Sequence, residues 1–257
     1  MIPVWAGILP ECTRMLKLLC VTAHPDDEAS SFGGTLLRCH DAGIETFVLC
    51  LTPGQAARHR GGAKSDEELA GMRRQELADA CRVLEVTRFE VLNFRDGELM
   101  QTDFVTGASA IVSRIRSFRP QVVATFGPEG GLTGHPDHGM AGIWTTAAFQ
   151  WAGRADRFAE TGLAPHRAQK LYYAAALFTI PGRPPIAPAP VTAVIDIGRY
   201  LERKLQAFRR HTSQAPLFEI FEKNISRASN EEHFHLAASI RPCRIEMETD
   251  LFTDVTD

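Results

Sequence analysis

The chain reads as an α/β protein with a Rossmann-like, open and mostly parallel sheet carrying helices on both faces. Two observations predict this. Short apolar runs alternate regularly with helix-length amphipathic segments from residue 16 to residue 151. The runs are almost continuously apolar, as in LKLLCVT at 16–22 and ETFVLCLT at 45–52, which is the pattern of strands covered on both faces. Alternation of this kind implies right-handed crossovers and the common strand order 3-2-1-4-5.

The first strand spans residues 16–22. A helix is expected over 33–42, ended by Gly43, a favoured stop residue. The second strand covers 45–52. Residues 53–64 (PGQAARHRGGAK) form a loop with no apolar period and are expected to be mobile. Ser65 and Glu68 make a capping box for a helix running to about residue 85, with Leu69, Met72, Leu77, Ala80, Cys81 and Leu84 at helical spacing. A third strand follows at 88–94, a turn at 95–98, a helix at 103–118 stopped by Pro120, and a fourth strand at 121–127. The glycine-rich loop 128–134 leads into a helix that ends near Trp151; its glycines let the backbone turn tightly. Further strands are expected at 170–177 and 191–197, flanking a proline-rich loop at 180–190 that could act as lid or rim. Residues 198–211 read as a helix, and the chain after Pro216 carries little pattern.

With 257 residues, 44% of them hydrophobic, the chain can bury a core in one domain. The expected division is a single domain over 15–257, with its core at 16–151 and rim elements at 152–257. Residues 1–14 are then either an N-terminal arm or a mis-assigned start ahead of Met15. The formal net charge of −3 and the lack of a basic stripe set nucleic acid aside as a partner. No apolar run approaches the roughly 20 residues of a membrane span. Six scattered cysteines, none in a CxxC pair, point to a reducing, cytoplasmic setting and not to a disulfide framework.

The chemistry concentrates in two stretches. Ala23-His24-Pro25-Asp26-Asp27-Glu28 follows the first strand, and Gly134-His135-Pro136-Asp137-His138 follows the fourth. In the expected strand order these strands are neighbours and the order reverses between them, which is where ligands bind in doubly wound sheets. Topology alone would bring His24, Asp26 and Asp27 within reach of His135 and His138. Two imidazoles, one carboxylate and an open position form the usual catalytic zinc set. Zinc lowers the pKa of the water it binds from 15.7 to about 7, worth roughly 12 kcal/mol at about 1.36 kcal/mol per unit. Adjacent carboxylates diverge in an irregular turn, so one ligates and the other stays free as general base. Spacing leans toward Asp27 as the ligand beside His24. Asp137 is expected to orient His24 or His138 or to cap the following helix, and Glu28 to cap or pack locally.

On these two motifs the chain resembles the PIG-L/LmbE-like metal-dependent N-deacetylases, which include N-acetylglucosaminyl-phosphatidylinositol deacetylase and the deacetylases of mycothiol and bacillithiol synthesis. The likeness extends from about residue 16 to residue 214. It implies that His24, Asp27 and His138 bind zinc, with iron(II) as the other ion such a set suits. It implies Asp26 as general base, and His135 as the group that stabilises the oxyanion or protonates the leaving amine. Arg73 and Glu76 are similar to the family's Arg-x-x-Glu, Asp96-Gly97 to its Asp-Gly, and His211-Thr212-Ser213-Gln214 to its His-x-Ser-Gln segment. Arg73, Asp96 and His211 are therefore expected at the sugar site. The implied substrate is a small N-acetylated amino sugar, and relatives that assemble suggest a homo-oligomer. One departure is Thr133, which stands where some members carry a Tyr two residues before the first His of the second motif. Rival readings are an amidase of a thiol–sugar conjugate, a metal-dependent esterase, or a protein that keeps metal without turnover. The intact Asp26 speaks against the last.

Overall fold

The computed structural model describes residues 15–180, 186–227 and 230–256. The reading of an N-terminal arm over 1–14 lies outside them, as does the stretch 181–185 of the proline-rich loop.

Among the described residues, seven strands form one sheet in the order β3-β2-β1-β4-β5-β7-β6. These are β1 (Lys17–Thr22), β2 (Glu45–Cys50), β3 (Arg88–Val91), β4 (Val122–Phe126), β5 (Lys170–Ala175), β6 (Ala193–Asp196) and β7 (Glu231–Ser239). The first five in chain order pair in parallel, in the expected order 3-2-1-4-5. β1 lies between β2 and β4, with Leu19 opposite Phe47 on one side and Val123 on the other. All five residues of β4 are buried, as are the last five of β1 and of β2. Apolar runs at these positions face helices on both sides, and for that reason they do not alternate.

The helices are α1 (Asp27–Asp41), α2 (Asp66–Val83), α3 (Phe104–Phe118), α4 (Pro136–Trp151), α5 (Leu201–Phe208) and α6 (Phe218–Arg227). The Ser65 half of the capping box on α2 forms as expected, Ser65 Oγ accepting from the Glu68 amide at 3.1 Å, while Glu68 Oε2 accepts from the Lys64 amide at 2.8 Å, one residue before the cap.

Several boundaries differ from expectation. The first helix starts at Asp27, not at residue 33. Gly33 and Gly34 lie inside it because a neighbour comes close: a Cβ on Gly34 would stand 2.3 Å from Cγ2 of Ile197. The helix read at 198–211 is only α5, entered through a 3-10 turn at Gly198–Tyr200. The chain after Pro216, read as unpatterned, supplies α6 and the nine-residue β7. β7 runs antiparallel between β5 and β6, so the two strands read at the end of the sheet are not adjacent. The loop at 53–64, read as mobile, is tied down. The Ala56 amide donates to Asp96 Oδ2 at 2.9 Å, Arg73 Nη1 to the Gly54 carbonyl at 3.0 Å, and Gln214 Nε2 to the His59 carbonyl at 2.9 Å.

Five of the six cysteines lie among the described residues, and all five are free. No helix among the described residues is long and apolar enough to cross a membrane.

Candidate metal centre

The turn after β1 is built by one carboxylate. Asp27 Oδ2 accepts from the amides of Ala23 and His24 at 3.1 and 2.9 Å, which folds the chain back at the strand end. Thr52, just past β2, bonds the Ala23 carbonyl through both its amide and its hydroxyl at 3.0 and 2.9 Å. His24 and Asp27 are therefore held by backbone on both sides. The turn after β4 is held differently. Gly130, Gly131 and Gly134 take positive φ, and His135 caps α4 with its Nδ1 accepting from the Asp137 amide at 3.2 Å. Gly142 lets α4 lie flush on the end of β4, since a Cβ there would meet the Phe126 carbonyl oxygen at 2.3 Å. That close approach carries His138 over β1.

The two turns meet. Asp27 Oδ1 lies 3.1 Å from His138 Nε2, and Asp27 Oδ2 lies 3.7 Å from His24 Nδ1. The rings of His24, His135 and His138 stand 4.8 to 5.3 Å apart by centroid. Two donors held about 2.1 Å from a tetrahedral ion lie about 3.4 Å apart, so the Asp27–His138 spacing suits a shared cation. The other edge of His24 is backed by carboxylates: Nε2 is 3.0 Å from Asp96 Oδ1 and 3.4 Å from Asp137 Oδ2. Those carboxylates are themselves fixed, Asp137 by the Gly97 and Leu99 amides at 2.7 and 3.3 Å, Asp96 by Ala56. A carboxylate behind a ligating imidazole sets its tautomer and raises its basicity. His138 is set by Phe126, stacked on it at 4.1 Å and 8°, and by Thr133, whose Oγ1 is 3.5 Å from its Nδ1. Thr133 thus stands behind a histidine of the centre.

The electrostatics favour a cation. Asp26, Asp27, Asp96 and Asp137 converge here, with Arg73 as the nearby fixed positive group. Burial works against a charged His24, but Asp137, Asp96 and Asp27 outweigh it and hold the ring up to about 10. Burial likewise opposes ionised Asp27, yet His138 and His24 pull it well below the usual carboxylate range. Asp26 goes the other way. Burial, with Asp27 and Glu28 nearby, pushes its carboxyl up to about 6 against the pull of Arg73 and His211. His135 is held below the usual imidazole value by burial and by its two histidine neighbours. Its ring is therefore neutral near pH 7. With Nδ1 occupied as an acceptor, its hydrogen sits on Nε2.

The turns open on one cavity of about 760 Å³, lined by His24, Asp26, Asp27, Arg73, Asp96, Thr133, His135 and His138 on the metal side. Two of the expected sugar-site residues reach it, Arg73 and Asp96, but both also serve the centre. Arg73 Nη2 is 2.9 Å from Asp26 Oδ2 and also bonds the Pro25 carbonyl. His211 does not line the cavity. It is fully buried, with Nε2 2.7 Å from Glu28 Oε1. Glu76 is occupied by Thr212 and Ser213. The rest of the wall, Ser30, Phe178, Lys204, Phe208, Phe221 and His233, was not expected residue by residue; all but Ser30 fall within the rim elements expected at 152–257. Five of these come from α5, α6 and β7 or abut β5, and a lysine inside an amphipathic helix carries no local signal that it faces a cavity.

A cluster of three histidines and four carboxylates beyond the ends of adjacent parallel strands, beside a large cleft, is the site of a doubly wound α/β hydrolase able to hold a metal ion. The sequence profile described as PIG-L, GlcNAc-PI de-N-acetylase, matches residues 19–149. The chain belongs to that family, which makes it an N-deacetylase, a hydrolase that opens an amide bond. It is 31% identical to a 1D-myo-inositol 2-acetamido-2-deoxy-alpha-D-glucopyranoside deacetylase 2 of Catenulispora acidiphila, over 91% of each chain. It is 36% identical to the diacetylchitobiose deacetylase of Thermococcus kodakarensis, over 78% of this chain and 70% of that one. Among solved structures, the N,N'-diacetylchitobiose deacetylase of Pyrococcus horikoshii superposes with a TM-score of 0.68 at 23% identity, over 86% of this chain and 83% of that one. That likeness is one of fold.

Proposed function

We propose that the protein is a zinc-dependent N-deacetylase acting on a small N-acetylated amino sugar of the N-acetylglucosamine type. The observation that carries this is the meeting of His24, Asp27 and His138 beside Asp26, a half-buried carboxylate whose partner is Arg73 and not a histidine. In this reading His24, Asp27 and His138 hold the ion. Zinc supplies Lewis acidity, making water more acidic and polarising the acetamide carbonyl.

The chain's own groups do the rest. Asp26 takes the proton of the attacking water; a carboxyl raised to about 6 is a stronger base than an ordinary aspartate and is still ionised at pH 7. His135 presents Nε2–H to the oxygen on which negative charge develops. The C–N bond breaks and acetate and a free amine leave, with the proton on Asp26 passing to the amine. Asp96 and Asp137 keep the His24 ring turned toward the ion. Arg73 keeps Asp26 from swinging onto it.

The test is acetate release by zinc-loaded protein from N-acetylglucosamine, chito-oligosaccharides and an N-acetylglucosaminyl inositol. Activity abolished by chelation and restored by zinc supports the reading. Turnover of simple esters or thiol conjugates, with no acetamide hydrolysed, would replace it.

A further inference from the structure

Asp26 holds a backbone conformation that side chains with a Cβ avoid, φ 109° and ψ −24°. Such a conformation persists only where the surroundings over-determine it. Its carboxylate is held by Arg73. Its backbone is held by a different group: the Asp26 amide donates to Glu28 Oε2 at 2.9 Å. Glu28 is fully buried, and its other oxygen, Oε1, lies 2.7 Å from Nε2 of His211, also fully buried and 183 residues away in the chain. Nδ1 of His211 has no hydrogen-bond partner among the described residues, so the ring is oriented by Glu28. Neither Glu28 nor His211 lines the cavity.

We propose that Glu28 and His211 are positioning residues for Asp26. This rests on Asp26 being the base. His211 fixes the Glu28 carboxylate, Glu28 fixes the Asp26 amide, and the amide sets the direction of the Asp26 Cα–Cβ bond into the cleft. Glu28 faces two donors, one on each oxygen. With either donor lost, the carboxylate is free to rotate and the Asp26 backbone can relax toward negative φ, turning its side chain away. A buried ion pair adds little net stability over apolar residues of the same volume. What this one supplies is orientation. A misplacement of about 1 Å at a reacting group can lower the rate on the order of 100-fold.

The test is a cycle on the zinc-loaded full chain with His211→Ala, His211→Gln, Asp26→Asn and the His211→Ala/Asp26→Asn double variant. His211→Ala is expected to lower kcat on the order of 100-fold, with KM within about twofold and zinc content unchanged. His211→Gln keeps an N–H donor and is expected to recover part of the loss. In the Asp26→Asn background His211→Ala should cost nothing further. Equal fold-losses in both backgrounds, a loss explained by missing zinc, or full kcat in His211→Ala would each overturn the proposal. If the alanine variant does not fold, Glu28→Gln takes its place in the cycle, since one acceptor cannot serve two donors, and the same outcomes decide. Full activity in Asp26→Asn alone would instead remove the base assignment, a separate failure.

Discussion

Oδ1 of Asp27 lies 3.1 Å from Nε2 of His138, joining the turn after β1 to the first turn of α4. Asp27 also bonds two backbone amides of its own turn, so it is a structural group as well as the proposed metal ligand. Asp27→Ala is expected to lose zinc and activity together. Elemental analysis of the purified variant checks this; stoichiometric zinc in Asp27→Ala would remove Asp27 from the ligand set.

Asp26→Asn should separate from that pattern. It keeps the shape and the turn but removes the proposed base. Loss of general-base catalysis typically lowers the rate on the order of 100- to 10,000-fold. Zinc content should stay at the wild-type level, and steady-state kinetics beside metal analysis reads both.

Asp137 touches His24 from the side opposite Asp27 and lies 113 residues away in the chain. Asp137→Ala is expected to weaken zinc binding about 10- to 100-fold, the usual range for a carboxylate behind a ligating imidazole. Competition with a chromogenic chelator measures it. Unchanged affinity would mean that Asp96, 3.0 Å from the same nitrogen, suffices alone.

The meeting of His24 with His135 and His138 was legible because apolar runs at 16–22 and 121–127 fix which strands neighbour each other, and the order follows from the alternation. The split between Asp26 and Asp27 was less legible: spacing placed the two together and only leaned toward Asp27 as the ligand. The backbone sets the two apart, since Asp27 opens α1 and caps its own turn while Asp26 sits at positive φ. The far wall was legible only as rim segments, not as residues. Lys204 pairs with Glu232, and His211 with Glu28. Partners so distant in sequence leave no periodicity, and β7 begins with two glutamates, which hides a buried strand from a hydrophobic pattern.

Stability should depend on pH through His211. Burial alone would lower its proton affinity, but the Glu28 carboxylate outweighs burial and Asp26 adds to it, so the folded-state value is raised. The pair's contribution is thus complete below about 6.5, the unfolded value, and drains away as pH climbs through the raised one. Thermal melts from pH 6 to 9 should show the wild type losing more Tm than His211→Gln over that rise. Parallel curves would contradict it.

Gly34 tests the packing that supports the first motif. A methyl group there collides with Ile197, 2.3 Å from the added carbon. Gly34→Ala is expected to destabilise by about 1–3 kcal/mol, the usual range for overpacking, read as a lower urea midpoint. Ile197→Ala in the same chain should relieve part of it.

The position of β7 has a consequence for synthesis. β6 pairs with β7, and β5 reaches β6 only through it. A nascent chain that has emerged through residue 200 therefore exposes the open edge of β5 and an unpartnered β6, a combination that invites contact with other chains. The ribosome must deliver about forty further residues, through Ser239, before those edges close, so the moment of greatest vulnerability falls late in translation, after the half that carries both motifs is already out.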